Sequence, residues 1–188
     1  MRNITSALML LITMSLYSQN NKDHKLFLKD STVLIAKQVN TTSNRKCAIV
    51  TTKDGERLKI PYNKIYRHLY YLRNTVFSPR NVKRLTEFVL ISEDKGDMMN
   101  VHVEGRCNLY TGYIPQLRNS GAYGFYVKRN GENIATCIAS TNWMESRNFK
   151  EIATDYFKDC PEMVEQIQIR LDKNNIEELI EFYNNQCQ

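Results

Sequence analysis

Three groups of side chains in this sequence have types and spacings that could do chemistry. Cys160 and Cys187 bracket the C-terminal stretch 159–188, and two thiols in an oxidising compartment can form a disulfide. The segment HVEGRC (102–107) places an imidazole, a carboxylate and a thiol close together in sequence, and these are the groups that nucleophilic hydrolysis uses. Residues 57–86 contain no Asp or Glu and eight Arg or Lys, a composition that attracts anions.

The basic stretch, residues 57–86, also interleaves tyrosines with its cations. Arg and Lys bind phosphates and carboxylates, and tyrosine rings can stack on other rings. The candidate anion-binding residues are Lys64, Arg67, Arg73, Arg80, Lys83, Arg84, Tyr66 and Tyr70.

Three interpretations of this charge pattern stay open. Residues 151–188 carry nine acidic and three basic side chains, so an acidic helical unit docked on the basic stretch would leave an ordinary solvated surface. The second interpretation is binding of an anionic glycan, of lipopolysaccharide or of a membrane surface. The third is nucleic-acid binding, which becomes the leading alternative if the protein is not exported.

The HVEGRC segment is the strongest candidate for catalysis, and it rests on proximity in sequence alone. The pattern favours a surface histidine, His102, near a strand end over a metal ligand or a catalytic set with Glu104 and Cys107. The sequence has no G-x-S-x-G, H-E-x-x-H or P-loop motif, and its cysteine spacings do not resemble a zinc site. We therefore predict no catalytic residue, no metal and no cofactor; an uncharacterised secreted hydrolase is the alternative.

The C-terminal stretch predicts two helices. Pro161 suits a first helical position, and Met163, Val164, Ile167 and Leu171 then share one face. After a polar turn, Asn174 or Asn175 is placed to cap a second helix. The apolar face of that helix comprises Ile176, Leu179, Ile180 and Tyr183. Helices joined by a short turn run antiparallel, which brings Cys160 to Cys187.

The other cysteines leave the pairing open. Cys107 and Cys137 lie in segments that resemble strands, and they form a second candidate disulfide. Five cysteines are an odd number, so at least one thiol, Cys47 or another, remains unless a partner chain supplies a sixth.

Upstream of the helices the pattern is that of a sheet. Residues 31–39, 46–52, 87–92, 99–105 and 108–114 are rich in β-branched or alternating residues. Asp54-Gly55 and Asn130-Gly131 predict hairpin turns. Residues 63–74 suit either a helix or a strand. Strands followed by helices indicate an α+β fold, a mostly antiparallel sheet with a C-terminal helix pair, divided as a β-rich part 20–144 and a helical unit 145–188.

The first residues predict export. Arg2 precedes an apolar run from Ile4 to Tyr17, followed by small and polar residues, which is the pattern of a secretory signal peptide over 1–19. The run is shorter than the roughly 20 residues that a membrane span needs. We expect a mature chain, about 20–188, without a transmembrane helix, in the periplasm, at the outer membrane or outside the cell.

Three further segments, YGFYVKRNGE, NFKEIATDYFKDCPEMVEQI and IEELIEFYNNQC, carry a resemblance. They resemble a group of small exported proteins of Bacteroidota, in which a DCPE-(L/M)-V helix start is followed by EFYN…C. The likeness covers roughly the last 65 residues well, while the DGE…I hairpin and the VEG…LY strand pair match loosely. It implies a bacterial envelope protein with a Cys160–Cys187 disulfide and carries over no catalytic residue. We therefore expect a non-catalytic binding or structural role at the envelope.

Overall fold

The computed structural model describes residues 23–41, 46–72, 82–114, 122–141, 148–170 and 175–187. The strands are β1 (His24–Leu28), β2 (Val33–Asn40), β3 (Cys47–Thr52), β4 (Arg57–Pro61), β5 (Ile65–Leu72), β6 (Val82–Leu90), β7 (Gly96–Val103), β8 (Cys107–Ile114), β9 (Ala122–Arg129) and β10 (Thr136–Ser140). A 3₁₀ turn, Tyr62–Lys64, joins β4 to β5, and the helices are α1 (Phe149–Tyr156), α2 (Pro161–Arg170) and α3 (Ile176–Gln186). The predicted α+β fold, a mostly antiparallel sheet followed by helices, is confirmed.

These ten strands form one sheet in the order β10-β9-β8-β7-β6-β5-β1-β2-β3-β4, and each neighbouring pair is antiparallel. Residues 63–74, which suited helix or strand, are strand from Ile65 to Leu72. Their apolar residues happen to have helical spacing, but pairing with β1 on one side and β6 on the other decides the conformation. Both predicted hairpin turns have a glycine with positive φ, Gly55 and Gly131.

The N-terminal half of the sheet curls. In a flat sheet β4 and β5 would be four strand spacings, or about 19 Å, apart. The 3₁₀ turn that joins them has only three residues and rises about 2 Å per residue. Strands β1–β5 must therefore bend into an open barrel, here called the N-terminal curl. Its interior holds Leu26, Ala36, Val39, Ala48, Val50, Ile60, Tyr62 and Ile65.

The C-terminal half curls as well. Leu90 of β6 bridges Ile134, just before β10, and the Ala135 N–H donates to the Leu90 carbonyl at 2.8 Å. Strands β6–β10, the C-terminal curl, thus close around Val89, Met99, Tyr110, Tyr126 and Ala135.

The two curls bend towards opposite faces of the sheet. Leu26 of the first interior is paired with His68, whereas Met99 of the second is paired with Glu87. His68 is in turn paired with Thr86 of β6. Residues paired across strands point to the same face, whereas consecutive residues of one strand point to opposite faces. Thr86 therefore lies on the face of Leu26, and its neighbour Glu87 lies on the face of Met99. The sheet is consequently S-shaped in section.

The helices cover the outer face of the C-terminal curl. A third apolar cluster joins Cys107, Leu109, Val127 and Ile138 of the strands to the helices. The buried helical residues are Phe149, Ala153, Met163, Ile167, Ile176, Leu179, Ile180 and Tyr183. The predicted apolar faces of the last two helices are thus buried, except that Val164 is half-buried and Leu171 lies outside the described residues. Asn175 precedes α3 but makes no side-chain cap hydrogen bond, so that predicted cap is wrong, and Asn174 lies outside the described residues.

Candidate functional site

A β-bulge between β1 and β5 directs two side chains towards one end of the sheet. Phe27 is paired with Arg67 and Leu28 with Ile65, which leaves Tyr66 as the extra residue. Bulges re-aim side chains in this way, and Tyr66 and Arg67 line the same cleft. The guanidinium of Arg67 lies 5.1 Å from the centroid of the Tyr66 ring, which is half exposed.

Arg67 is the centre of a charged network. Its guanidinium contacts Glu87 at 2.5 Å and Glu104 at 2.7 Å, and the Tyr110 hydroxyl donates to Glu87 at 3.0 Å. Burial of the guanidinium disfavours its charged form and acts to lower the pKa of Arg67. The two carboxylates act in the other direction, and the pKa is raised above its usual value. Burial and the adjacent Glu87 likewise raise the pKa of Tyr110. Arg67 is thus already neutralised, which makes it a poor anion ligand.

The cleft around this network has a volume of about 290 Å³. It lies where the start of β5, the end of β7, the start of β8 and the β9 turn meet. The lining residues are Tyr66, Arg67, Glu87, Glu104, Gly105, Asn108, Tyr110, Lys128, Arg129, Asn130, Gly131 and Glu132. Three cations and three carboxylates stand in this lining, so the cleft is polar and close to electroneutral.

The predicted basic stretch does not form one surface. Tyr70 and Arg84 are directly opposite each other in β5 and β6, and Tyr71 and Lys83 are the next pair. Alternation along a strand sends these two pairs to opposite faces. Lys64 lies in the 3₁₀ turn and is exposed, while Arg73 and Arg80 lie outside the described residues.

The outer face of the N-terminal curl, in contrast, combines cations with exposed apolar side chains. Val33 and Ile35 of β2 are about half exposed, at 50% and 48%. Ile35 is paired with Lys25, which is paired in turn with Leu69. We call this surface the outer patch; its members are Lys25, Phe27, Val33, Ile35, Leu69, Tyr71, Lys83 and Leu85. None of these eight is acidic, and Lys25 and Lys83 are exposed.

Three rings stack on the opposite face. The His24 Nδ1 lies 2.9 Å from the His68 Nε2, and the His68 ring is 4.9 Å from that of Tyr70. Burial, followed by the nearby His24, lowers the pKa of His68 to about 3. His24 is therefore a structural residue that fastens β1 to β5.

The HVEGRC residues are separated by the fold. His102 makes hydrogen bonds to Glu177 of α3 at 2.7 Å and to Thr111 at 2.8 Å, whereas Glu104 contacts Arg67. Cys107 is fully buried, and burial raises the pKa of its thiol to about 12. A thiol that stays protonated is a poor nucleophile, so this set does not converge on a reacting centre.

The predicted disulfide is present: Cys160 and Cys187 are joined, with their Cα atoms 5.6 Å apart. It ties the residue before α2 to the residue after α3. Cys107 and Cys137 do not form the second candidate disulfide. Strand β9 lies between their strands. Cys107 is opposite Arg129 while Cys137 is opposite Tyr126, and residues 126 and 129 of one strand face opposite sides.

The motifs that carried the family resemblance meet at Arg129. Its Nε donates to the Tyr183 hydroxyl at 2.9 Å, and Tyr183 donates to Asp159 at 2.6 Å. The Asn184 side chain binds both the N–H and the carbonyl of Cys107, at 2.8 and 2.9 Å. Residues of VKRNGE, DCPE and EFYN thus dock the helices on the sheet, and their role is structural.

Sequence reasoning missed several residues of these sites. Lys25 and Phe27 lie in β1, a strand that the polar segment around it concealed. Glu87 stood in a predicted strand and Lys128 beside the predicted Asn130-Gly131 turn, and no signal marked either residue. The short apolar run Leu26-Phe27-Leu28 was the available clue to a strand, and in a strand Lys25 and Phe27 share a face.

No group of His, Cys, Asp and Glu within the described residues is arranged to hold a metal ion. Among the helices of the same residues, none is both long and apolar enough to cross a membrane.

Comparison with known proteins places the chain in no family: no family model, no curated protein and no solved structure matches it.

Proposed function

We propose that this is a non-catalytic binding protein of the bacterial envelope, which attaches to an anionic lipid layer through the outer patch. The carrying observation is that exposed Lys25 is paired with half-exposed Ile35, with half-exposed Val33 beside them and exposed Lys83 on the same face. Glu87, the carboxylate on this face in the row of Val33 and Phe27, is buried and ion-paired with Arg67. Apolar side chains beside lysines are the pattern of an interfacial contact, since the former enter the headgroup region and the latter meet its negative charge.

The distribution of charge supports this orientation. Residues 151–188 are acidic, and the helices that they form cover the outer face of the other curl. The molecule is therefore polarised, with a basic, partly apolar end and an acidic end. An anionic surface attracts the first and repels the second.

A lipid layer fits better than a polymer without acyl chains. A soluble polyanion would gain from lysines alone, and exposure of Val33 and Ile35 to water would bring nothing to such a complex. Phosphorylated lipopolysaccharide and anionic phospholipid both offer the required combination of charge and acyl chains. The expected signal peptide over 1–19 would deliver the mature chain to this compartment.

The test is co-sedimentation of residues 20–188 with vesicles. Vesicles of phosphatidylglycerol and phosphatidylethanolamine, or vesicles containing lipopolysaccharide, should retain the protein, while pure phosphatidylcholine vesicles should not. Each lysine near an anionic surface contributes roughly 1 kcal/mol, so the double variant K25E/K83E should lose at least about tenfold in partitioning.

The matched control is R57E/K59E, which makes the same change in net charge. Arg57 and Lys59 are exposed on β4, at the far edge of the sheet, so this variant should bind like the wild type. Equal loss in both variants, or retention by K25E/K83E, would contradict the outer patch as the contact. Binding to heparin or DNA with no binding to vesicles would favour a soluble polyanion instead.

A further inference from the structure

We infer that the cleft beside Tyr66 is a binding site for a neutral, polyhydroxylated chain, an oligosaccharide. This site shares only Phe27 with the outer patch, and it does not depend on the proposed lipid contact. The inference rests on the chemistry of the lining, on the exposed ring and on the continuation of the cleft past that ring.

The lining offers hydrogen-bonding groups of both kinds. Glu104, whose side chain is about half exposed, presents carboxylate oxygens that accept from hydroxyl groups, while Asn108, Asn130 and Lys128 bring donors. The Glu132 carboxylate already accepts from the Arg129 N–H and the Tyr156 hydroxyl. A sugar hydroxyl both donates and accepts, so it can use both kinds of partner. A site built to bind a polyphosphate would show an excess of cations, and this lining is balanced.

Tyr66 supplies a flat apolar platform. Tyr66 is 51% exposed although it lines a cleft, and the Arg67 guanidinium packs against its ring. Arg67 is itself held by Glu87 and Glu104. The ring is therefore held in place before any ligand arrives, which lowers the entropic cost of binding. The apolar face of a pyranose ring can stack on such a surface while its hydroxyl groups reach the surrounding polar side chains.

The cleft continues on the other side of Tyr66. A second concavity is lined by Phe27, Leu28, Lys29, Ser31, Thr32 and Tyr66. Tyr66 is common to both concavities, so a ligand longer than one sugar ring can lie across it from the β1–β2 turn to the β9 turn. This shape fits a linear chain better than a compact metabolite.

The test uses isothermal titration calorimetry with five neutral hexasaccharides: cello-, chito-, malto-, laminari- and mannohexaose. At least one should bind with a dissociation constant below about 1 mM, in the range of weak specific recognition. The variant Y66A should weaken that binding at least about tenfold, as loss of one aromatic stacking contact and its buried area implies, and E104Q should weaken it through one lost acceptor.

The matched control is Y123A. Tyr123 is 50% exposed on β9 and lines a different concavity, next to Tyr113 and Thr111, so its loss should not change the affinity. No heat of binding for any of the five sugars, undiminished binding by Y66A, or loss in Y123A alone would overturn the inference. The K25E/K83E variant should bind the sugar normally, so that failure of the lipid proposal and failure of this one are separate outcomes.

Discussion

At the scale of single residues, burial decides which of the reactive-looking side chains are available. Cys107 and His68 are both fully or nearly fully buried, and both are held in their neutral forms, with the pKa of the thiol raised and that of the imidazole lowered. Arg67 keeps its charge but is ion-paired with two carboxylates, Glu87 and Glu104. The lysines of the outer patch, Lys25 and Lys83, are the exposed cations that remain available there.

Stability should fall in acid through His68. The folded protein holds this ring neutral with a pKa of about 3, while the unfolded chain protonates it near 6.5. The contribution is therefore fully present above pH 6.5 and is lost progressively as the pH falls towards 3, by up to about 1.4 kcal/mol per pH unit. His24, whose pKa burial also lowers, adds a change of the same sign.

Urea unfolding between pH 7 and pH 4 measures this slope. The variant H68F keeps an aromatic ring between His24 and Tyr70 but cannot be protonated, so its unfolding free energy should depend less on pH than that of the wild type. Identical slopes for the two proteins would show that His68 does not titrate on unfolding.

Gly105 should be intolerant of a side chain. A Cβ at this position would lie 2.4–2.8 Å from the atoms of the Asn184 side-chain amide, and that amide holds the backbone of Cys107. G105A should therefore lower the free energy of unfolding by about 1–3 kcal/mol, the usual cost of overpacking.

A double-mutant cycle separates this clash from a backbone effect. In the background of N184G the clash is absent, so G105A should then cost much less than in the wild type. Additive costs would mean that Asn184 is not the obstacle.

At the scale of elements, the strands and helices could largely be predicted, whereas their mutual placement could not. The β9–β10 hairpin and the last two helices follow from Asn130-Gly131 and from apolar residues at helical spacing. Strand β1 was not predicted because it is short and Leu26 is its only fully buried residue. The outer patch was not predicted for a different reason. Its residues come from β1, β2, β5 and β6, and no local sequence pattern determines the register between these strands.

The disulfide should stabilise the helical unit without determining the fold. It closes a loop with a sequence separation of 27, which constrains the unfolded chain by roughly 3–4 kcal/mol. The buried helical residues and the Arg129 contacts also hold the helices on the sheet, and we expect them to persist when the bond is absent. C160A/C187A should therefore fold with unchanged far-UV circular dichroism but unfold at lower urea concentration.

Dithiothreitol provides the control for this prediction. It should destabilise the wild type by a similar amount and leave C160A/C187A unchanged. A double variant as stable as the oxidised wild type would contradict a stabilising role for the bond.

At the scale of the whole molecule, the S-shaped sheet separates two kinds of surface. The helices occupy the outer face of the C-terminal curl, and the outer face of the N-terminal curl carries the outer patch. The sequence showed the charge asymmetry but placed the binding residues in one continuous basic stretch. Strand alternation divides that stretch between two faces, with Lys83 on one and Arg84 on the other.

The most direct measurement of the proposed attachment is tryptophan fluorescence at Ile35. Trp143 is the only tryptophan, so a W143F background allows one probe at a time. In I35W the emission should shift to the blue when vesicles containing phosphatidylglycerol are added, and the shift should reverse at high salt. I169W is the matched control, since Ile169 is 69% exposed on α2, and its emission should stay unchanged. A shift of equal size in both variants, or no shift in I35W while the protein sediments with the vesicles, would contradict the outer patch as the face that meets the lipid.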